Sequence, residues 1–239
     1  MEIKIFDTYN DVSIEAANIF ISTIKNIKFP VVGLATGSTP EGLYKILSDS
    51  YKKGIVSFKN VKSFNLDEYI GLSKNHPQSY RSFMNENLFK NIDISLENTF
   101  FPDVYDENLS SCCHNYSSLL KANKRDIQIL GLGVNGHIAF NEPGTSFDSL
   151  THVVNLTEET IISNSRFFES LEETPTKAIT MGIHEILDSS LIILLVSSKN
   201  KSAALKKILD QQICIDCPAT ALLSHPNFII LCDKEAYPY

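Results

Sequence analysis

Residues 127 to 144 read Ile127-Gln-Ile-Leu-Gly-Leu-Gly-Val-Asn-Gly-His-Ile-Ala-Phe-Asn-Glu-Pro-Gly144, an apolar run that ends in three glycines, an imidazole and a carboxylate. The run Ile127 to Leu130 has the length and side chains of a buried strand. Glycines 131, 133 and 136 let the backbone turn sharply and approach a ligand closely, and His137 and Glu142 follow as a potential proton-transfer pair. An open α/β sheet keeps its ligands in the crevice at the carboxyl ends of its strands. The stretch therefore predicts an α/β enzyme whose site opens at the end of this strand.

Working outward, four further apolar runs read as strands: Val31 to Ala35, Val61 to Leu66, Leu191 to Val196 and Phe228 to Leu231. Between them lie helical patterns at Asp11 to Ile27 (apolar at 12, 16, 19, 20, 24 and 27), Pro40 to Lys52, Gln78 to Phe89, Leu109 to Lys124 and Lys199 to Asp210. Such alternation predicts βαβ crossovers and a mostly parallel sheet with helices on both faces. No fixed-period repeat, low-complexity tract or linker divides the chain, so residues 1–239 read as a single α/β domain. The polar segment Thr145 to Thr176 reads either as a lid over the site or as a plain surface excursion.

Composition narrows the function classes. At 43% hydrophobic and 21% charged, 239 residues are enough to bury a sizeable core. A net charge of −7 and a pI near 5.4 leave no basic stripe for a phosphate backbone, which argues against a nucleic-acid partner. Any anionic ligand must be met by a few local cations. The N-terminus lacks an apolar core of signal-peptide length, and the longest aliphatic run, Leu191 to Val196, is far too short to span a bilayer. A cytoplasmic protein without membrane attachment is expected. The five cysteines, 112, 113, 214, 217 and 232, form no spaced disulfide framework and are expected as free thiols. Cys214 and Cys217 make an isolated Cys-x-x-Cys, with no second pair or histidine cluster to complete a metal site.

Four constellations carry chemistry. In Leu34-Ala-Thr-Gly-Ser-Thr-Pro40, a strand enters a Gly/Ser/Thr turn before a helix opened by Pro40; Gly37, Ser38 and Thr39 would meet an anion with backbone N–H groups and hydroxyls, or Ser38 or Thr39 merely caps the helix. No Gly-Lys-Ser/Thr follows, which excludes the Walker-type phosphate loop. Asp67 and Glu68, in Phe64-Asn-Leu-Asp-Glu-Tyr69, stand at a strand end, as a solvated turn or as an acid tuned by partial desolvation for proton abstraction. Glycines 131, 133 and 136 formally match the dinucleotide fingerprint, but Asn141-Glu-Pro-Gly144 breaks the chain where a Rossmann loop needs a long helix, so no nicotinamide cofactor is expected. His137, flanked by Asn135 and Glu142, reads as a catalytic or else a hydrogen-bonded structural histidine. Among the cations, Arg166 and Lys201 stand near polar loops and suit an anionic group, the arginine fork especially.

These segments, with Asn164-Ser-Arg-Phe-Phe168 and Thr180-Met-Gly-Ile183, resemble in order and along the whole chain the glucosamine-6-phosphate deaminase family. The resemblance implies a modified Rossmann-like domain that converts glucosamine 6-phosphate and water into fructose 6-phosphate and ammonia without metal or redox cofactor. It implies Asp67 as the base moving a proton between C2 and C1, His137 as the group that opens the sugar ring, and Glu142 and Asn135 as its partners. Gly37, Ser38, Thr39, Arg166 and Lys201 would form the phosphate cradle.

Two departures stand out. Many members of that family carry Asp where this chain has Asn135, which leaves Glu142 as the histidine's one anionic neighbour within the motif. Longer, allosterically activated members place basic residues where this chain has His152 and Val154, and they extend beyond the position of Tyr239; a monomer or small homo-oligomer without effector activation is expected. The nearest rivals are a 6-phosphogluconolactonase, disfavoured by Phe140-Asn-Glu142 and the Asp67-Glu68 pair, and a galactosamine 6-phosphate isomerase. A silent sugar-phosphate-binding regulator would be expected to lack Asp67 or His137.

Overall fold

Each of the five apolar runs forms a strand in the computed structural model, which describes residues 1–73, 75–166 and 168–239. In chain order the strands are β1 (Glu2–Phe6), β2 (Val31–Leu34), β3 (Lys62–Asn65), β4 (Asp67–Tyr69), β5 (Thr99–Phe100), β6 (Ile127–Gly131), β7 (His152–Asn155), β8 (Lys177–Thr180), β9 (Ile192–Val196) and β10 (Phe228–Asp233). The helices are α1 (Tyr9–Lys25), α2 (Glu41–Lys52), α3 (Tyr80–Asn87), α4 (Leu109–Ala122), α5 (Glu158–Ser165), α6 (Ile183–Leu187) and α7 (Ser202–Leu209). None of the described helices is long and apolar enough to cross a membrane.

Seven strands pair in the order β1-β10-β9-β6-β2-β3-β5, every pair parallel. Because a sheet covered on both faces buries alternate side chains in opposite directions, β9 feeds two cores. Ile193 and Leu195 join α1 and α2 through Phe20, Leu43 and Leu47. Ile192, Leu194 and Val196 join α4 and α7 through Tyr116, Leu120, Leu205 and Ile208. From β2 the chain builds outward to β3 and β5, while β6, β9 and β10 extend the other way. The carboxyl ends of β2 and β6 consequently flank the switch point, where such sheets hold ligands.

A second sheet decides between the two readings of Asp67. After β3 the chain spends one residue, Leu66, before β4 begins at Asp67 and pairs antiparallel with β8, which pairs with β7. Leu66 is held by both sheets, its N–H donating to Leu34 O at 3.2 Å and its carbonyl accepting from Met181 N at 2.7 Å. Asp67 is thus no solvated turn residue but the first residue of a buried strand opposite Thr180. The segment read as a lid or surface excursion carries β7 and α5; Phe167 within it, also part of the Asn-Ser-Arg-Phe-Phe motif, lies outside the described residues.

Candidate active site

The loops after β2, β3 and β6, with α3, α5 and the turn before α7, enclose a cavity of about 440 Å³. Gly37, Ser38, Thr39, Asp67, Asn135, His137, Arg166 and Lys201 all line it. Glu142, the ninth residue expected from the sequence, stands behind His137 rather than on the wall.

The β6 loop is shaped by two glycines. A Cβ on Gly133 would fall 2.5 Å from the His137 ring, so only glycine leaves room for the imidazole there. Gly136 turns at φ 91°, and a Cβ on it would meet Cys217 Sγ at 2.4 Å. Cys217 of the Cys-x-x-Cys is therefore buried packing under the glycine-rich turn, and all five cysteines are free thiols. Two residues past His137, Ala139 takes a left-handed φ of 52°, a conformation disfavoured for a residue with a Cβ and characteristic of functional sites. Phe140 N, next in the chain, donates to the Thr180 hydroxyl at 3.1 Å and fixes the turn to β8.

Glu142 organises the histidine. Its Oε2 accepts from Asn135 Nδ2 at 2.8 Å and lies 3.4 Å from His137 Nδ1, an ion-pair distance rather than a well-formed hydrogen bond. Asn135 Oδ1 in turn accepts from His137 N at 3.1 Å. The amide thus bridges carboxylate and histidine backbone, a position in which an aspartate would repel Glu142. On the other oxygen, Oε1 accepts from the Thr160 hydroxyl at 2.5 Å and has Thr157 Oγ1 at 3.4 Å. Burial raises the Glu142 pKa, but the imidazole and the Thr160 and Asn135 donors outweigh it and pull the carboxyl down to about 2.

Burial raises the pKa of both strand-end acids, but their hydrogen-bond partners differ. Burial first, and the Glu68 charge second, push the Asp67 carboxyl well above the usual carboxylate range. Glu68 is buried as well, yet its Oε1 accepts from Tyr69 N and Tyr80 N, both at 2.9 Å, and its Oε2 from Arg81 N at 2.9 Å. It anchors the start of α3, which Ser79 caps, and the negative charge suits that helix terminus. Asp67 faces the cavity as the acid open to chemistry.

At the anion side, no side chain caps α2, so the capping reading of Ser38 and Thr39 does not hold. Gly37 at φ 90° turns the loop, and Thr39 lies against Gly131 across the strand ends. Lys201 is half-buried, and burial followed by the nearby Arg166 charge lowers its pKa, against Glu159, which raises it. Two cations held near each other are relieved by an anion. Lys201 follows Ser198, whose φ of 82° is held by Asp233, the acceptor for Ser197 Oγ and Ser198 N.

Thr157, Thr160 and Tyr80 escaped the sequence reading, and Tyr69, Asn164 and Phe168 stood in its motifs without a role. Tyr69 Oη accepts from Tyr80 Oη at 3.1 Å and Asn164 Nδ2 at 2.8 Å. The rings of Tyr69, Tyr80, Phe140 and Phe168 pack with centroids 4.6 to 6.1 Å apart along the cavity. No group of three or more metal-ligating side chains occurs among the described residues.

Residues 9–230 match the family model for glucosamine-6-phosphate isomerases and 6-phosphogluconolactonases. The glucosamine-6-phosphate deaminase of Thermoanaerobacter pseudethanolicus is 50% identical over 99% of this chain and 94% of its own length. Glucosamine-6-phosphate deaminase 1 of Bacillus subtilis is 45% identical over 99% and 98%. Among solved structures, a monomeric glucosamine-6-phosphate deaminase superposes with a TM-score of 0.97 at 45% identity, covering 99% of this chain and 98% of that one. A 6-phosphogluconolactonase from Trypanosoma brucei shares the fold, with a TM-score of 0.80 at 19% identity over 98% and 97%.

Proposed function

The chain belongs to the glucosamine-6-phosphate isomerase and 6-phosphogluconolactonase family, and from that premise we propose that its cavity converts glucosamine 6-phosphate and water into fructose 6-phosphate and ammonia. One observation carries the reading: a buried acid with raised proton affinity and a histidine backed by a carboxylate line the same cavity as two neighbouring cations. Those are the parts that proton shuffling on a phosphorylated sugar requires.

Arg166 and Lys201, with Gly37, Ser38 and Thr39, hold the phosphate. His137 takes the proton of the anomeric hydroxyl and returns one to the ring oxygen, opening the pyranose to an aldehyde, while Glu142, 3.4 Å from its Nδ1, orients the ring. The C1 carbonyl then acidifies the C2 proton, which Asp67 removes while one proton of the C2 ammonium passes to O1, giving an enolamine; Asp67 delivers its proton to C1, and the C2 amine becomes an iminium. Water adds at C2, and ammonia departs with the amine nitrogen as the C2 ketone forms. No hydride moves, so the sequence of steps calls for no redox cofactor. Asp67 suits its step because burial leaves its carboxylate more basic than an exposed one. Amino-sugar catabolism in the cytoplasm is the setting this reaction fits.

The test is ammonia release by purified protein from glucosamine 6-phosphate, galactosamine 6-phosphate and 6-phosphogluconolactone in parallel, with lactone hydrolysis followed by acid production. Ammonia from the gluco epimer is the expected result. Lactone hydrolysis without ammonia from either amino sugar would overturn the proposal.

A further inference from the structure

Helix α5 touches the site at three places along one short element. Thr160, in its first turn, donates to Glu142 Oε1 at 2.5 Å, while Thr157 caps the helix by accepting from Thr160 N and lies 3.4 Å from the same oxygen. Four residues on, hence on the same face, Asn164 donates to Tyr69 Oη at 2.8 Å. Arg166 is the C-cap residue. Thr160, Asn164 and Arg166 all line the cavity.

The described apolar contact of α5 with the molecule is Ile161 against the small cluster of Tyr69, Phe140, Leu156 and Ala178, far from the two main cores. A charge-assisted bond to a buried carboxylate is the stronger kind of polar contact, and here it joins α5 to the group that orients His137.

We propose that Thr160 is a positioning residue that locks α5 to Glu142, so that capture of the substrate phosphate by Arg166 and orientation of His137 by Glu142 occur as one event. With the bond made, Glu142 is fixed from both oxygens: Asn135 and His137 on Oε2, Thr160 on Oε1. With it broken, the carboxylate turns about its last bond and the arginine at the other end of α5 loses its register. Phosphate binding thereby reports to the proton-transfer pair through a helix of eight residues, and a substrate lacking phosphate leaves the pair less well set.

The inference rests on the deaminase reading, and the experiment separates the two. Thr160→Val keeps the shape and removes the hydroxyl, Thr160→Ser keeps the hydroxyl, and glucitol 6-phosphate, which cannot open or deaminate, probes binding by calorimetry without turnover. Thr160→Val is expected to lower kcat roughly tenfold or more, the scale of losing one hydrogen bond to a charged group, and to weaken glucitol 6-phosphate several-fold. Thr160→Ser should restore both. In a double-mutant cycle with Glu142→Gln, the losses in kcat should be strongly non-additive, because each substitution removes the same contact. Additive losses, a serine variant as poor as the valine one, or unchanged kcat and affinity in Thr160→Val would overturn the coupling. Absence of ammonia release by the unaltered protein would instead defeat the deaminase reading, and the glucitol 6-phosphate comparison would still decide whether Thr160 sets Arg166.

Discussion

Asp67 carries a conflict between folding and chemistry that its surroundings make measurable. Its folded pKa lies well above the ordinary 3.8, through burial and then the Glu68 charge. A raised folded pKa contributes stability that is complete below the unfolded value and is lost as pH rises through the folded one. At neutral pH burying this acid, which is ionised in the unfolded chain, therefore opposes folding, and Asp67→Asn should melt at a higher temperature than the unaltered protein, with the gap closing as pH falls through the raised folded pKa towards 3.8. The same substitution should lower turnover by roughly 10²- to 10⁴-fold, the usual loss for a positioned general base, and abolish solvent deuterium incorporation at C1 of fructose 6-phosphate. Thermal scans against pH and mass spectrometry of the product check the two halves. Near-normal exchange in the variant would remove Asp67 from the proton transfer, and a lower melting temperature at pH 7 would contradict the burial account. Asp67 was legible as a candidate acid from its strand-end position; its environment was not, because β4 is buried by pairing with β8, more than a hundred residues away in sequence.

Among the elements, what the sequence disclosed tracks how long each hydrophobic pattern runs. The five central strands and helices α1, α2 and α4 announce themselves through full periods of apolar spacing. Strands β4, β7 and β8, of three or four residues, and the five-residue α6 do not complete enough periods to be recognised; the strands place Tyr69, Val154 and Ala178 on a small local cluster, while α6 sends Ile186 into a main core. Helix α5 was lost among polar residues for a related reason: its inward contacts are hydroxyls and an amide meeting a carboxylate and a phenol, which carry no hydrophobic signal. Yet this element ends at Arg166, the arginine proposed to hold the phosphate. If Arg166 grips the phosphate, Arg166→Ala should reduce kcat/KM for glucosamine 6-phosphate by roughly ten- to 150-fold, the value of a charged hydrogen bond. Steady-state rates with unphosphorylated glucosamine, a substrate with nothing for the guanidinium to hold, should fall little further. Equal losses on both substrates would remove Arg166 from phosphate binding.

At the scale of the whole molecule, an acidic chain of net charge −7 must hold a phosphate dianion, so the few sites where cations gather decide how many such ligands it takes. The active cavity has Arg166 and Lys201. At β7, where the activated relatives place basic residues, this chain presents His152 and Val154. Val154 packs against the Tyr69 and Phe140 cluster, and His152 Nδ1 is engaged with Leu150 O at 2.8 Å. An effector phosphate there would give up water for an apolar side chain and an occupied ring, an exchange that backbone groups alone do not offset. We therefore expect no activation by N-acetylglucosamine 6-phosphate, and a monomer or small oligomer in solution. Reciprocal linkage requires that an effector with no site of its own leave substrate affinity unchanged except by competing for the cavity. Substrate-saturation curves should accordingly be hyperbolic with and without the acetylated sugar phosphate, with light scattering giving the mass of one chain or of a small oligomer. A sigmoidal curve that the effector straightens would show a second anion site that β7 does not build, and a stable hexamer would show an interface that holds this chain in the company of its copies.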